Sequence, residues 1–182
     1  MAGAGHRFHP HPFHMIIRKL TPADAEAYRA LRLSGILDTP TAFWTSHEEE
    51  VLHSLDAMRE RLVETPFQTV FGVLDGGELV GMAGLKRERV AKISHRGLIW
   101  GVYLAPQARG SGAARRLMDA LIAHAKTLPQ LVQLCLAVRS CNDSARALYA
   151  KVGFEATGVE RRSIYFENRY YDEDRMVLML DA

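Results

Sequence analysis

Two short stretches hold residue types whose spacing could do chemistry. The first is Gln107-Ala108-Arg109-Gly110-Ser111-Gly112-Ala113-Ala114, which follows the apolar run Gly97–Leu104. Pro106 has no amide hydrogen and ends a strand there. Gly110 and Gly112 then stand at the mouth of a helical period. A helix start leaves several N–H groups without partners, and its dipole end is positive. Glycines let an anion approach those groups, so the stretch reads as a phosphate cradle to which Arg109 can add charge. Other phosphate loops fit poorly. The Walker pattern needs Gly-Lys-Ser/Thr, and Gly112 is followed by Ala113 and Ala114. The dinucleotide pattern needs a third small residue where Arg115 stands, and it opens a first βαβ unit rather than lying mid-chain. A plain glycine-rich turn between strand and helix would also carry these residues.

The second stretch is Asn142–Phe154, reading NDSARALYAKVGF. Asn142 is a good N-cap. Ala145, Leu148, Tyr149 and Val152 share one helical face, and Gly153 suits a left-handed stop with Phe154 packing back. That accounts for most of the segment structurally. It does not account for Tyr149, whose hydroxyl needs a partner on a packed face.

In this order and spacing the two stretches resemble the GNAT acetyltransferases. The first matches that family's Gln/Arg-x-x-Gly-x-Gly/Ala segment, and Val102-Tyr103-Leu104-Ala105-Pro106 looks like its fourth strand. The second matches Asn-x-x-Ala-x-x-Leu-Tyr-x-x-x-Gly-Phe. The resemblance covers about residues 15–182. It implies a single mixed α/β domain (α+β), with a mostly antiparallel sheet of six to seven strands and about four helices.

It also implies acetyl-CoA as cosubstrate and no metal. The loop of Gln107, Arg109, Gly110, Ser111, Gly112, Ala113 and Ala114 would hold the coenzyme A pyrophosphate through its amides. The backbone of Val102, Tyr103 and Leu104 would pair with the pantetheine arm and thioester, and Asn142 would sit near that arm. Tyr149 would be the general acid that protonates the departing thiolate. A primary amine, on a small molecule or a peptide or protein N-terminus, would attack directly. A bulge near Val102 and Tyr103 would aim N–H groups at the oxyanion.

The fourth strand here, RGLIWGVYL, lacks the acid that several relatives use as base. His95, Glu88, Glu78 or a water chain are the alternatives. A covalent route through Cys141 lacks a nearby histidine. The stretch GVERRSIYFENRYYDEDRM resembles a substrate-side hairpin. There Glu160, Arg161, Tyr165, Tyr170, Tyr171 and Asp172 could line the acceptor pocket or simply face water around a turn at Glu167-Asn168-Arg169. A non-catalytic acyl-CoA-binding regulatory module on the same fold is the competing function, and a nucleotide-binding protein is a third.

The elements that must position these residues follow from periodicity. Met15–Lys19 reads as a strand. Thr21 and Pro22 open a helix that includes Leu31 and Leu33. Ser46 and Glu49 have capping-box spacing and start one helix through Val51, Leu55, Met58 and Leu62. Phe67–Leu74 and Glu78–Leu85 form a hairpin about Asp75-Gly76-Gly77. A helix runs from about Gly110 to Lys126 with Leu117, Met118 and Leu121 on its apolar face, and His124 is expected to face solvent. Leu131–Val138, Phe154–Arg162 and Arg175–Leu180 complete the strands.

The formal charge of +2 over 182 residues gives no case for nucleic acid or a membrane surface. Two cysteines, Cys135 and Cys141, argue against a disulfide framework and for a reducing compartment. The cytoplasm is the expected location, coenzyme A and an amine are the expected partners, and a homodimer, frequent among relatives, is left open. Residues 1–14, with His6, His9, His11 and His14 among prolines and glycines, read as a flexible extension.

Overall fold

The computed structural model describes residues 15–180, so the histidine-rich extension lies outside the described residues. Seven strands form one sheet: β1 (Ile16–Lys19), β2 (Gln68–Asp75), β3 (Glu78–Arg87), β4 (Arg96–Leu104), β5 (Gln133–Arg139), β6 (Glu155–Phe166) and β7 (Arg169–Met179). Their order is β1-β2-β3-β4-β5-β7-β6. Every neighbouring pair is antiparallel except β4 and β5, which run parallel. That one parallel pair is short, joining only Arg96–Leu98 to Gln133–Cys135. Beyond Leu98 and Cys135 the strands part and leave facing edges unpaired, the feature of the fold that makes room for a ligand.

Among the described residues there are five α-helices: α1 (Ala25–Asp38), α2 (His47–Val51), α3 (Leu55–Arg61), α4 (Ala113–Thr127) and α5 (Asp143–Lys151). On α4, Leu117, Met118, Leu121 and Ala125 are buried, the stripe the sequence pattern required. His124 departs from expectation. It is largely buried, against Phe71 at 5.6 Å between ring centroids and 3.3 Å from the Thr69 hydroxyl.

The single helix expected from Ser46 to Leu62 is two. Ser46 and Glu49 do form the capping box. Ser54 then acts as a second N-cap, accepting from the Ala57 amide at 3.1 Å, and restarts the chain as α3. The break lets Glu50 turn inward, where it accepts from Arg32 at 2.7 and 3.1 Å and from Arg61 at 2.8 Å. This buried network ties α1 to α2 and α3. The last two strands are also longer than their apolar patterns. Glu167 and Asn168, both at positive φ, form a tight turn that lets polar residues pair right up to Phe166 and Arg169.

Candidate active site

The gap between β4 and β5 is a cleft of about 490 Å³. One wall is β4. There Met82 pairs with Tyr103 and Gly84 with Trp100, so Gly101 and Val102 both stand opposite Ala83. This is a β-bulge. Gly101 takes φ +61°, a conformation that favours glycine. A Cβ added there would lie 3.2 Å from Arg32 Nη1, which is buried without a hydrogen-bond partner among the described residues. The bulge falls beside Val102 and Tyr103, where the resemblance placed one.

The floor of the cleft is the start of α4. The chain turns through a 3-10 segment at Pro106–Ala108 and passes Gly110 and Gly112, at φ +74° and +80°. The first backbone bond across the helix start is Arg116 N–H to Gly112 O at 3.2 Å. The amides of Gly112 and Ala114 have no backbone partner among the described residues. A Cβ at Gly110 or Gly112 would meet nothing within 4 Å, so open space stands over those amides. Ala113 and Ala114 complete the lining.

Two loop side chains are committed elsewhere. Arg109 donates to Leu104 O at 3.1 Å and to the Asp38 carboxylate, at the end of α1, so its charge is already paired. Ser111 donates to Ala108 O at 2.6 Å and fixes the loop. Ser111 and Gln107 do not line the cleft, whereas Arg109 and Gly110 do.

The opposite wall comes from β5 and α5. Asn142 caps α5, its Oδ1 accepting from the Ala145 amide at 3.2 Å, and lines the cleft. Gly153, at φ +100°, ends the helix, and Phe154 N–H bonds Tyr149 O at 3.0 Å. Tyr149 is buried at 7% exposure, edge-on to Phe154, and lines the cleft. Burial pushes its hydroxyl well above the ordinary tyrosine range, and no hydrogen bond or charge opposes that shift. It is a protonated donor with no protein acceptor among the described residues.

A sequence profile of the acetyltransferase (GNAT) family matches residues 34–154. The chain belongs to that family. GNAT proteins are acyltransferases whose cosubstrate is acetyl-CoA. The N-alpha-acetyltransferase RimI of Mycobacterium tuberculosis is 38% identical over 103 residues, a match that spans 56% of this chain and 61% of that relative. The spermidine N(1)-acetyltransferase of Vibrio cholerae is 24% identical over 139 residues, 76% of this chain and 79% of that one. In structure, the GNAT-family acetyltransferase of Streptococcus pneumoniae superposes with a TM-score of 0.81 at 21% identity, over 92% of this chain and 100% of that one.

In this GNAT chain the structure also sorts the acceptor-side candidates. Glu78, Glu88 and His95 are exposed and do not line the cleft. Glu160 pairs with Arg175, Tyr165 stacks on Tyr170, and Asp172 accepts from the Arg162 amide. The carboxylate that does reach the cleft is their neighbour Glu173, 4% exposed on β7. It accepts from Trp44 Nε1 at 3.2 Å and from Ser163 Oγ at 2.5 Å. Glu173 also borders a second chamber of about 190 Å³ walled by Phe43, Trp44 and Trp100. Sequence reasoning passed over it. The only signal was a run of three acids, Asp172-Glu173-Asp174, in an alternating strand.

Proposed function

We propose that this chain is an acetyl-CoA-dependent N-acetyltransferase that moves the acetyl group directly to a primary amine. The observation that carries the reading is the meeting of three features at one cleft. These are the glycine-floored helix start, the bulged edge of β4, and the buried Tyr149 hydroxyl.

The residues present fit the cosubstrate. The open space over Gly110 and Gly112 suits a pyrophosphate, because a backbone amide cradle at a helix start favours negative charge. Of the loop, the amides of Gly110, Ser111, Gly112 and Ala114 would supply the contacts, with Gln107 at their margin and the Ala113 amide turned to Ser111 Oγ at 3.3 Å. Arg109 shapes the loop instead, since its guanidinium is held by Asp38 and its amide donates to Pro106 O at 3.2 Å. The unpaired edge of β4 at Val102, Tyr103 and Leu104 would take the pantetheine arm, with Asn142 across the gap. When bound, acetyl-CoA supplies an activated acyl thioester. Backbone N–H groups at the Gly101–Val102 bulge then stabilise negative charge on the acyl oxygen. As the N–C bond forms and the C–S bond breaks, Tyr149 would donate its proton to the leaving sulfur, and the attacking nitrogen would give up its own through a water chain to solvent.

Measuring thiol release from acetyl-CoA across a panel of amines tests this reading. Amine-dependent release and an acetylated product are expected. Tight acetyl-CoA binding without release for any amine would instead make the chain a regulatory module on the same fold. Tighter binding of ATP than of acetyl-CoA would overturn the donor assignment.

A further inference from the structure

Glu173 and Arg139 are direct cross-strand partners on β7 and β5. Residues so placed lie about 4.5–5.5 Å apart at Cα and point to the same face, where opposite charges normally pair. These two do not. Glu173 is drawn toward Trp44 and Ser163. Arg139 donates to the Thr41 hydroxyl and, at 2.8 Å, to Cys141 Sγ, with its guanidinium 4.3 Å above the Tyr171 ring. No carboxylate pairs with Arg139 among the described residues, and its Nε is buried without a partner. Both side chains line the cleft. The neighbouring charges are accounted for: Asp174 is held by Arg146 at 2.7 Å and Ser140 at 2.5 Å, and Arg175 by Glu160. One anion and one cation therefore stand side by side at the cleft, unpaired with each other.

We propose that Glu173 and Arg139 select a zwitterionic acceptor, an amino acid whose ammonium meets Glu173 and whose carboxylate meets Arg139. This rests on the acetyltransferase reading and names its substrate class. The amino acid's side chain enters the chamber, whose lining joins Phe43, Trp44 and Trp100 to Arg32 and leaves room for a group of moderate size. A polyamine would bring its second ammonium against Arg139. A peptide N-terminus would offer Arg139 a neutral carbonyl in place of a carboxylate, unless an acidic side chain stood close by.

The test compares kcat/KM for free amino acids, their amides, short peptides with neutral or acidic first residues, and spermidine. Free amino acids should exceed their amides by about 10- to 100-fold, the worth of one hydrogen bond to a charged group. Arg139→Gln should bring that ratio close to one by lowering the free amino acid. Glu173→Gln should raise KM for every amine, with acetyl-CoA affinity and melting temperature measured beside it to confirm a folded protein. Amides, peptides or spermidine used as well as or better than amino acids would overturn the pair and leave the acetyltransferase reading standing. No release with any amine would overturn both.

Discussion

Burial keeps the Tyr149 hydroxyl protonated through the range in which a free tyrosine would begin to ionise. A general acid with a raised pKa stays loaded as pH rises, so kcat should show no loss through pH of about 10, the ordinary tyrosine value. A kcat–pH profile that fell with an apparent pKa near that value would contradict the role. Gly112 makes a second point at this scale. Its φ of +80° and the open space at its Cβ position mean that a side chain would enter the anion seat. Gly112→Val should weaken acetyl-CoA binding, read by calorimetry, by more than the strain of about 1–2 kcal/mol for a left-handed residue explains. A part for Tyr149 came only with the likeness of Asn142–Phe154 to the family's segment, whereas Gly110, Gly112 and the Asn142 cap were legible because their types and spacing act within one helix start. Glu173 was not, because its hydrogen-bond partner Trp44 stands 129 positions away along the chain. No local pattern reports a contact of that kind.

The elements repeat this contrast. The hairpin of β2 and β3, the α4 stripe and the capped α5 follow from patterns of two or 3.6 residues. The split of α2 from α3 follows from Ser54, a local N-cap inside the apolar period, but what it achieves does not: Glu50 reaches two arginines, one of them on α1. Burial alone would raise the Glu50 carboxyl, but hydrogen bonds and charge from Arg32 and Arg61 outweigh it and hold it below the usual range. The stabilisation is therefore complete above the free carboxyl value of about 4.3 and is lost as pH falls through the lower folded value. Glu50→Ala should cost about 3–5 kcal/mol near neutrality, since it strands two partly or wholly buried arginines. Denaturant unfolding of the variant and the wild type should show that gap narrowing as the solution is acidified. A gap that does not depend on pH would place the Glu50 contribution in packing. Arg32 also lies against the bulge at Gly101, so the network borders the β4 edge.

For the whole molecule, the decisive feature is a sheet that pairs β4 with β5 for three residues and then opens. The β2–β3 hairpin was readable from its turn, and the mostly antiparallel sheet was expected from the likeness to the family. The length of the one parallel pairing was not, since nothing local fixes where two strands stop bonding. Every group assigned a part in the chemistry stands along that opening: the amides of β4, the start of α4, and Tyr149 on α5. The measurement that bears most directly on this arrangement sets acetyl-CoA affinity beside amine-dependent thiol release, for the wild type and for Tyr149→Phe. The phenyl ring keeps its packing on Phe154, so affinity should be little changed while kcat falls by roughly 10²–10⁴-fold, the usual worth of a general acid. Thiol release by Tyr149→Phe at the wild-type rate, with binding equally intact, would show that the opening is not where Tyr149 completes the transfer.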